Sequence, residues 1–312
     1  MHIIHQTNLW SHAPHNAFSD LCEFNNMLVC CFREATNHIS GDGKIRVLYL
    51  DWQGKVLRHQ LLRIAGADLR DPKLSLTPDN KLMLLAYARY CGADNKTRYG
   101  QPSTWLSQDG YSWTAAKGFA DRNWWLWRIS WHNDKAYGVA YNRSAQSTRF
   151  YSGNPRGSFD CIEPELFGLR KHGKGYPNES DLQFAADGTA YILLRRDADT
   201  CTAQLGIAKP PYRRWQWQDL GFYLGGPAML LLEGNQALLA GRIWRASGPK
   251  TALIGLDLVS WKKKLLCILP SGGDTSYPGL VRKGDRLYIS YYASHQGQQS
   301  RIYLSELELK LT

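Results

Sequence analysis

Three features of the sequence predict an all-β protein, a six-bladed β-propeller of four-stranded antiparallel blades. A tight-turn signal followed by an apolar or aromatic run recurs six times. The recurrences stand 47 to 54 residues apart, the length of one blade. No long segment carries the 3.6-residue period of an amphipathic helix, so helices should be few.

The turns are, in order, Asn25-Asn26 before MLVCCF, Asp79-Asn80 before LMLLAY, Asn133-Asp134 before AYGVAY, Asp187-Gly188 before AYILLR, Gly234-Asn235 before ALLAGR and Gly284-Asp285 before LYISYY. Asn, Asp and Gly tolerate the positive φ angles that tight hairpins demand. A short strand precedes each turn: FSDLCEF, RDPKLSL, LWRISW, ESDLQF, GPAMLLL and YPGLV. A third strand follows, as IRVLYL, STWLS, TRFYS, AQLGIA, ALIGL and RIYLSEL. A β-sandwich would not need six similar units. The predicted organisation is one domain, 1–312, with blades at roughly 15–62, 68–118, 124–168, 176–220, 223–269 and 274–312.

The composition narrows the partners. At 44% hydrophobic and 21% charged the chain is globular rather than disordered. Its net charge of +11 points to an anionic partner, and a glycan carrying an acidic sugar fits. Nucleic acid is not expected, because no recognised binding motif accompanies the charge. No stretch approaches the ~18 apolar residues of a membrane span. The opening Met1-His2-Ile3-Ile4-His5 lacks the basic, apolar and small-residue regions of a signal peptide. With an odd count of seven Cys, this predicts reduced thiols in a cytoplasmic protein, or a secreted one if an upstream leader has been removed. Cys30 and Cys31 adjoin in one strand and should face opposite sides. No Cys or His spacing suggests a metal or cofactor, so His15, His38, His132 and His295 read as structural, although they fall near rim loops. Trp125 and Trp127 should share one face and Trp124 the other, and one of them could stack on a sugar.

In a propeller the innermost strands line a channel and the loops at one rim form a pocket. The residue eight places after each turn falls in one column: Arg33, Tyr87, Tyr141, Arg195, Arg242 and Tyr292. Three guanidiniums aimed at one pocket would clamp a carboxylate, sulfate or phosphate bidentately, whereas the plain structural reading pairs each with an acid of the next blade. The opening strands add His15, Asp20, Arg70, Asp71, Arg128, Asn178, Glu179, Asp181 and Tyr277. Asp71, Gly226 and Tyr277 each directly precede a proline, so they hold matching positions. Asp274 and Ser276 serve equally as rim hydrogen-bonders or turn formers.

The run Ser107-Gln108-Asp109-Gly110-Tyr111-Ser112-Trp113 resembles the Asp-box of sialidase-type propellers, with degenerate copies at Ser152–Phe159 and Ala208–Trp215. The segments HNAFSDL, NWWLWRISWH, YPNESDLQF, LGGPAMLL and SGGDTSYPGLV are similar to those of bacterial exo-sialidase-like, BNR-repeat glycosyl hydrolases. The resemblance implies a retaining exo-glycosidase acting on a terminal acidic sugar. Tyr277 would be the nucleophile, Glu179 its base, and Asp71 or Asp42 the acid/base. Arg33, Arg195 and Arg242 would clamp the sugar carboxylate, with Arg70, Arg128, His15 and Asp20 lining the site. The order Glu, Arg, Tyr on the expected strands is present as Glu179, Arg195 and Tyr277. The family's first-blade Arg-Ile/Leu-Pro is missing, and HNAFSDL stands in its place, so Arg33 or Arg70 must substitute.

The chemistry asks for these residue types. A phenol with a pKa near ~10 is a poor nucleophile until a carboxylate takes its proton. A neutral Tyr approaches an anomeric carbon bearing a carboxylate without charge repulsion, and a second carboxyl protonates the leaving oxygen. Two alternatives compete. One is a hydrolase or lyase on another sugar, in which Glu179 with Asp71 or Asp20 does the acid/base work. The other is a non-catalytic propeller that binds an anionic glycan or a protein.

Overall fold

Each of the six turn signals closes a hairpin, with Asn25, Asn26, Asn133, Asp134, Gly234, Asn235 and Gly284 in the left-handed region. The computed structural model describes residues 1–312 except 93, 95, 298 and 310–312. Among the described residues the strands form six separate four-stranded antiparallel sheets, with a single one-turn helix at Leu169–His172. The innermost strands are His15–Phe24, Ala67–Leu76, Trp125–His132, Pro177–Phe184, Gly225–Leu232 and Thr275–Lys283. They pack side by side around one axis, and each sheet runs outward from them. The chain is thus a six-bladed β-propeller.

The sixth blade is built differently from the sequence reading, which drew its four strands from 274–312. Its innermost three strands are Thr275–Lys283, Arg286–Ala293 and Arg301–Glu308, while the outermost is the N-terminal strand His2–Trp10. The Trp10 indole N–H donates to Glu34 Oε1 of the first blade at 2.5 Å. One strand therefore joins the last blade to the first.

Apolar clusters fill the wedges between blades. Cys30 lies in one with Phe18, Leu28 and Tyr292, and Cys31 in the next with Val29, Leu84 and Trp105, so the adjacent thiols do face opposite sides. All seven cysteines are free. On the second blade's outer hairpin, Asp109 accepts the N–H groups of Tyr111 and Ser112 at 2.7 and 2.6 Å. The Trp113 indole then reaches Gln60 of the first blade at 3.1 Å.

A repeated irregularity positions the site. Every innermost strand breaks register at the same place, leaving out Phe18-Ser19, Asp71-Pro72, Trp127-Arg128, Asn178-Glu179, Gly226-Pro227 and Tyr277-Pro278. Such bulges bend a strand and re-aim its side chains. Phe18, Asp71, Gly226 and Tyr277 sit at φ of 62°, 47°, 58° and 54°, a left-handed conformation that costs a bulky residue energy. Six bulges at one level make a ring of unusual side chains around the channel. Beside the bulges Arg128 pairs with Asp20 at 3.0 Å, and Asp20 and Asp181 each accept a backbone N–H from a neighbouring blade, Leu74 and Met229, at 2.8 Å.

Candidate active site

At the bulge of the last blade, the Tyr277 hydroxyl donates to Glu179 Oε1 at 2.5 Å. Arg195 Nη1 donates to Glu179 Oε2 at 2.7 Å and to the Tyr277 oxygen at 3.2 Å. The Gly226 N–H supplies another donor to Glu179 Oε2, at 2.8 Å. Burial alone would push the Glu179 carboxyl up, but Arg195, the Tyr277 hydroxyl and Arg242 outweigh it and hold it below the usual carboxylate range. Burial and the adjacent Glu179 carboxylate raise the Tyr277 phenol well above its ordinary value, against the pull of Arg195 and Arg242. The resting pair is therefore a neutral phenol donating to a carboxylate, ready to receive its proton.

Arg242 lies with its guanidinium carbon 5.8 Å from the Tyr277 ring centroid. Among the described residues it forms no ion pair, and its buried Nε has no hydrogen-bond partner. Arg195, by contrast, is also bound to Asp197, at 2.9 Å. Asp71 is 5% exposed, and no hydrogen bond to its carboxylate is found among the described residues. Burial is the main cause that raises its pKa, Arg70 and Lys73 oppose it, and Glu179 adds to it.

The three column arginines do not converge. Arg195 and Arg242 meet at Tyr277, whereas Arg33 is fully buried and turned to Asp68 at 2.8 Å. Its remaining donors go to the carbonyls of Asn37 and Ser40. Arg89 and Arg70 approach the same Asp68 carboxylate at 2.8 and 3.6 Å, so the protein's own acid fills that arginine cluster. Arg33 thus cannot offer a free donor to a ligand, and Arg70 instead lies over the Phe18 ring at 5.2 Å. Asp42 sits in an exposed loop and accepts from the Thr36 N–H and hydroxyl. Desolvation pushes its pKa up, but hydrogen bonds from Ser40 and Thr36 together outweigh it and hold it at about 2, which suits a loop cap and not a proton donor. Arg128 and Asp20 neutralise each other, and His15 is turned to Asp274.

The sequence reading missed Tyr141 as a site residue, although its column contained it. The phenol is pushed up by burial and then by Glu179 and Asp71. Trp125 stacks between Tyr87 and Tyr141 with centroids 4.2 and 5.7 Å away. Phe18 and Trp127 contact Tyr277 itself, at 5.0 and 5.9 Å. The column therefore divides: blades two and three supply an aromatic wall, blades four and five supply cations.

No protein-family model matches the sequence, and no curated protein matches it. Solved structures do. A protein of unknown function from Dyadobacter fermentans superposes with a TM-score of 0.83 at 17% identity over 99% of both chains. An α-L-arabinanase from Penicillium chrysogenum, complexed with arabinobiose, gives 0.72 at 13% identity over 100% of both. A Trypanosoma rangeli sialidase in complex with sialic acid gives 0.72 at 11% identity, with 95% of this chain matching 54% of that one. At these identities the likeness is one of fold. The chain has the sialidase-like six-bladed propeller fold, shared by sialidases and an arabinanase.

Proposed function

We propose that this protein is a retaining exo-glycosidase that removes a terminal acidic sugar from a glycan, with Tyr277 as its nucleophile. The observation that carries the reading is the Tyr277–Glu179 hydrogen bond of 2.5 Å flanked by Arg195 and the unpaired Arg242. Glu179 takes the phenolic proton as the Tyr277 oxygen attacks the anomeric carbon. Arg195 and Arg242 stabilise the negative charge that grows on that oxygen. Asp71, whose pKa burial raises, gives its proton to the leaving glycosidic oxygen. It then takes a proton from the water that cleaves the Tyr277–sugar bond, and Glu179 returns the phenolic proton. Two displacements at one carbon preserve the anomeric configuration. The free donors of Arg242 are the ones available to the sugar carboxylate, and the Tyr87–Trp125–Tyr141 wall offers the ring an apolar face.

A second reading is a hydrolase of a neutral sugar that relies on the rim carboxylates. The filled arginine cluster at Asp68 favours it, since of the three column arginines only Arg242 forms no ion pair among the described residues. A panel of aryl glycosides bearing acidic and neutral sugars, arabinofuranosides included, separates the two. Tyr277→Phe and Glu179→Gln should each lower turnover of an acidic aryl glycoside by about a thousandfold, in line with loss of a nucleophile or its base. NMR should show the first-formed product with the substrate's anomeric configuration. Unchanged turnover in both variants would overturn the assignment.

A further inference from the structure

We propose that His15, His38 and Asp274 form a binding site for one divalent transition-metal ion of the zinc type, at the seam between the first and last blades. His15 opens the first blade's innermost strand, His38 stands in the loop after that blade's second strand, and Asp274 directly precedes the last blade's innermost strand. His15 Nε2 lies 3.1 Å and His38 Nδ1 2.8 Å from the same oxygen, Asp274 Oδ2. The three donor atoms all fall within 4.8 Å of one another.

Their surroundings hold them in place. Tyr292 donates to the other carboxylate oxygen, Oδ1, at 2.7 Å, and the Asp274 N–H donates to Ser294 Oγ at 2.9 Å. That leaves Oδ2 facing the two imidazoles. The loop carrying His38 is anchored by Arg33 to the carbonyls of Asn37 and Ser40 and by Arg89 to that of Ile39. The site is thus supported by a second layer of contacts, as metal centres require.

Two imidazoles and a carboxylate are a donor set that zinc accepts, at ~2.0–2.2 Å per bond. A tetrahedral ion at those lengths asks its donors to stand ~3.3 Å apart. The carboxylate oxygen is a few tenths of an ångström closer than that to each imidazole, and the two imidazole nitrogens lie within 4.8 Å of each other. The half-exposed His38 ring, 49% accessible, can give that movement and leaves a fourth position to solvent. Phe18 separates the cluster from Tyr277, with its ring 5.1 Å from His38 and 5.0 Å from the phenol, so the site is distinct from the proposed catalytic pair. It does not depend on the glycosidase reading.

The test is metal binding by the full chain after chelator treatment. Equilibrium dialysis against buffered zinc should give one equivalent per chain, and cobalt should give the visible absorption of a four-coordinate N/O site. Saturating zinc should raise the melting temperature, since only the folded state assembles the donors. His38→Ala and Asp274→Asn should each weaken binding at least about tenfold and cancel the thermal shift, while His5→Ala should change neither. Circular dichroism of each variant shows whether it folds, and His38 on its exposed loop serves as the variant that keeps the fold. No stoichiometric binding at micromolar zinc, binding unchanged in both variants, or a cobalt spectrum dominated by thiolate charge transfer would each overturn the proposal.

Discussion

Asp71 is held where a charge is costly, in a buried position with no hydrogen bond to its carboxylate among the described residues and with its backbone in the left-handed region. Its folded-state pKa lies above the unfolded value of about 3.8, chiefly because of burial. Its stabilising contribution therefore exists below the unfolded pKa and is lost as pH rises through the folded one, so burying this carboxyl destabilises the protein at pH 7. Asp71→Asn removes that cost and suits the left-handed backbone at least as well. Thermal melts should show a gain of a few degrees at about pH 7 that shrinks towards about pH 4. The same change should lower turnover of glycosides with poor leaving groups by about a hundredfold or more, and much less with activated aryl leaving groups. A lower melting temperature at neutral pH would contradict the electrostatic account. The activity profile follows the same two groups: the acid limb belongs to Glu179, held low, and the alkaline limb to Asp71, held high. The Asp-Pro dipeptide made the position of Asp71 legible, whereas its lack of partners is decided by strands of other blades and leaves no local mark.

The bulge in each innermost strand turns a regular ladder into a ring of aimed side chains, and its legibility varied with local chemistry. Where a proline follows, at Asp71, Gly226 and Tyr277, the matching positions could be read from sequence. At Phe18, Trp127 and Asn178 no proline follows, and nothing short-range marks the break. The column eight residues past each turn was likewise readable as a register, but not as a destination. Asp68, which takes Arg33, lies on the opening strand of the next blade. Gly226 tests the bulge directly. A Cβ there would stand 2.9 Å from the Tyr277 ring, at a φ of 58° that alanine adopts only with strain. Gly226→Ala should cost about 1–3 kcal/mol in denaturant titrations and displace Tyr277, lowering kcat well beyond the loss of folded protein. Stability reduced with kcat unchanged per folded molecule would mean that the ring tolerates movement at this bulge.

The whole ring depends on how its ends meet. Six units in series would leave the last blade with an open outer edge, and His2–Trp10 covers it by pairing antiparallel with Arg301–Glu308. The repeat could not announce this strand, because it has no hairpin turn of its own and its partner lies at the far end of the chain. Leu9 and Trp10 are buried, and Gln6 reaches the Tyr291 hydroxyl at 2.8 Å, so the strand packs as well as pairs. Burial of two such side chains is worth about 1.5–3 kcal/mol each, before the edge hydrogen bonds are counted. At roughly 2–4 °C per kcal/mol, deletion of residues 1–11 should lower the melting temperature by on the order of 10 °C. The bared edge of Arg301–Glu308 should also promote association, visible by light scattering, and a synthetic peptide of the His2–Trp10 sequence should restore part of the lost stability. Activity per folded molecule should change little, since the deleted strand is outermost and the ring of bulges innermost. A melting temperature within about 2 °C of the full chain's would show instead that the inner strands close the ring unaided.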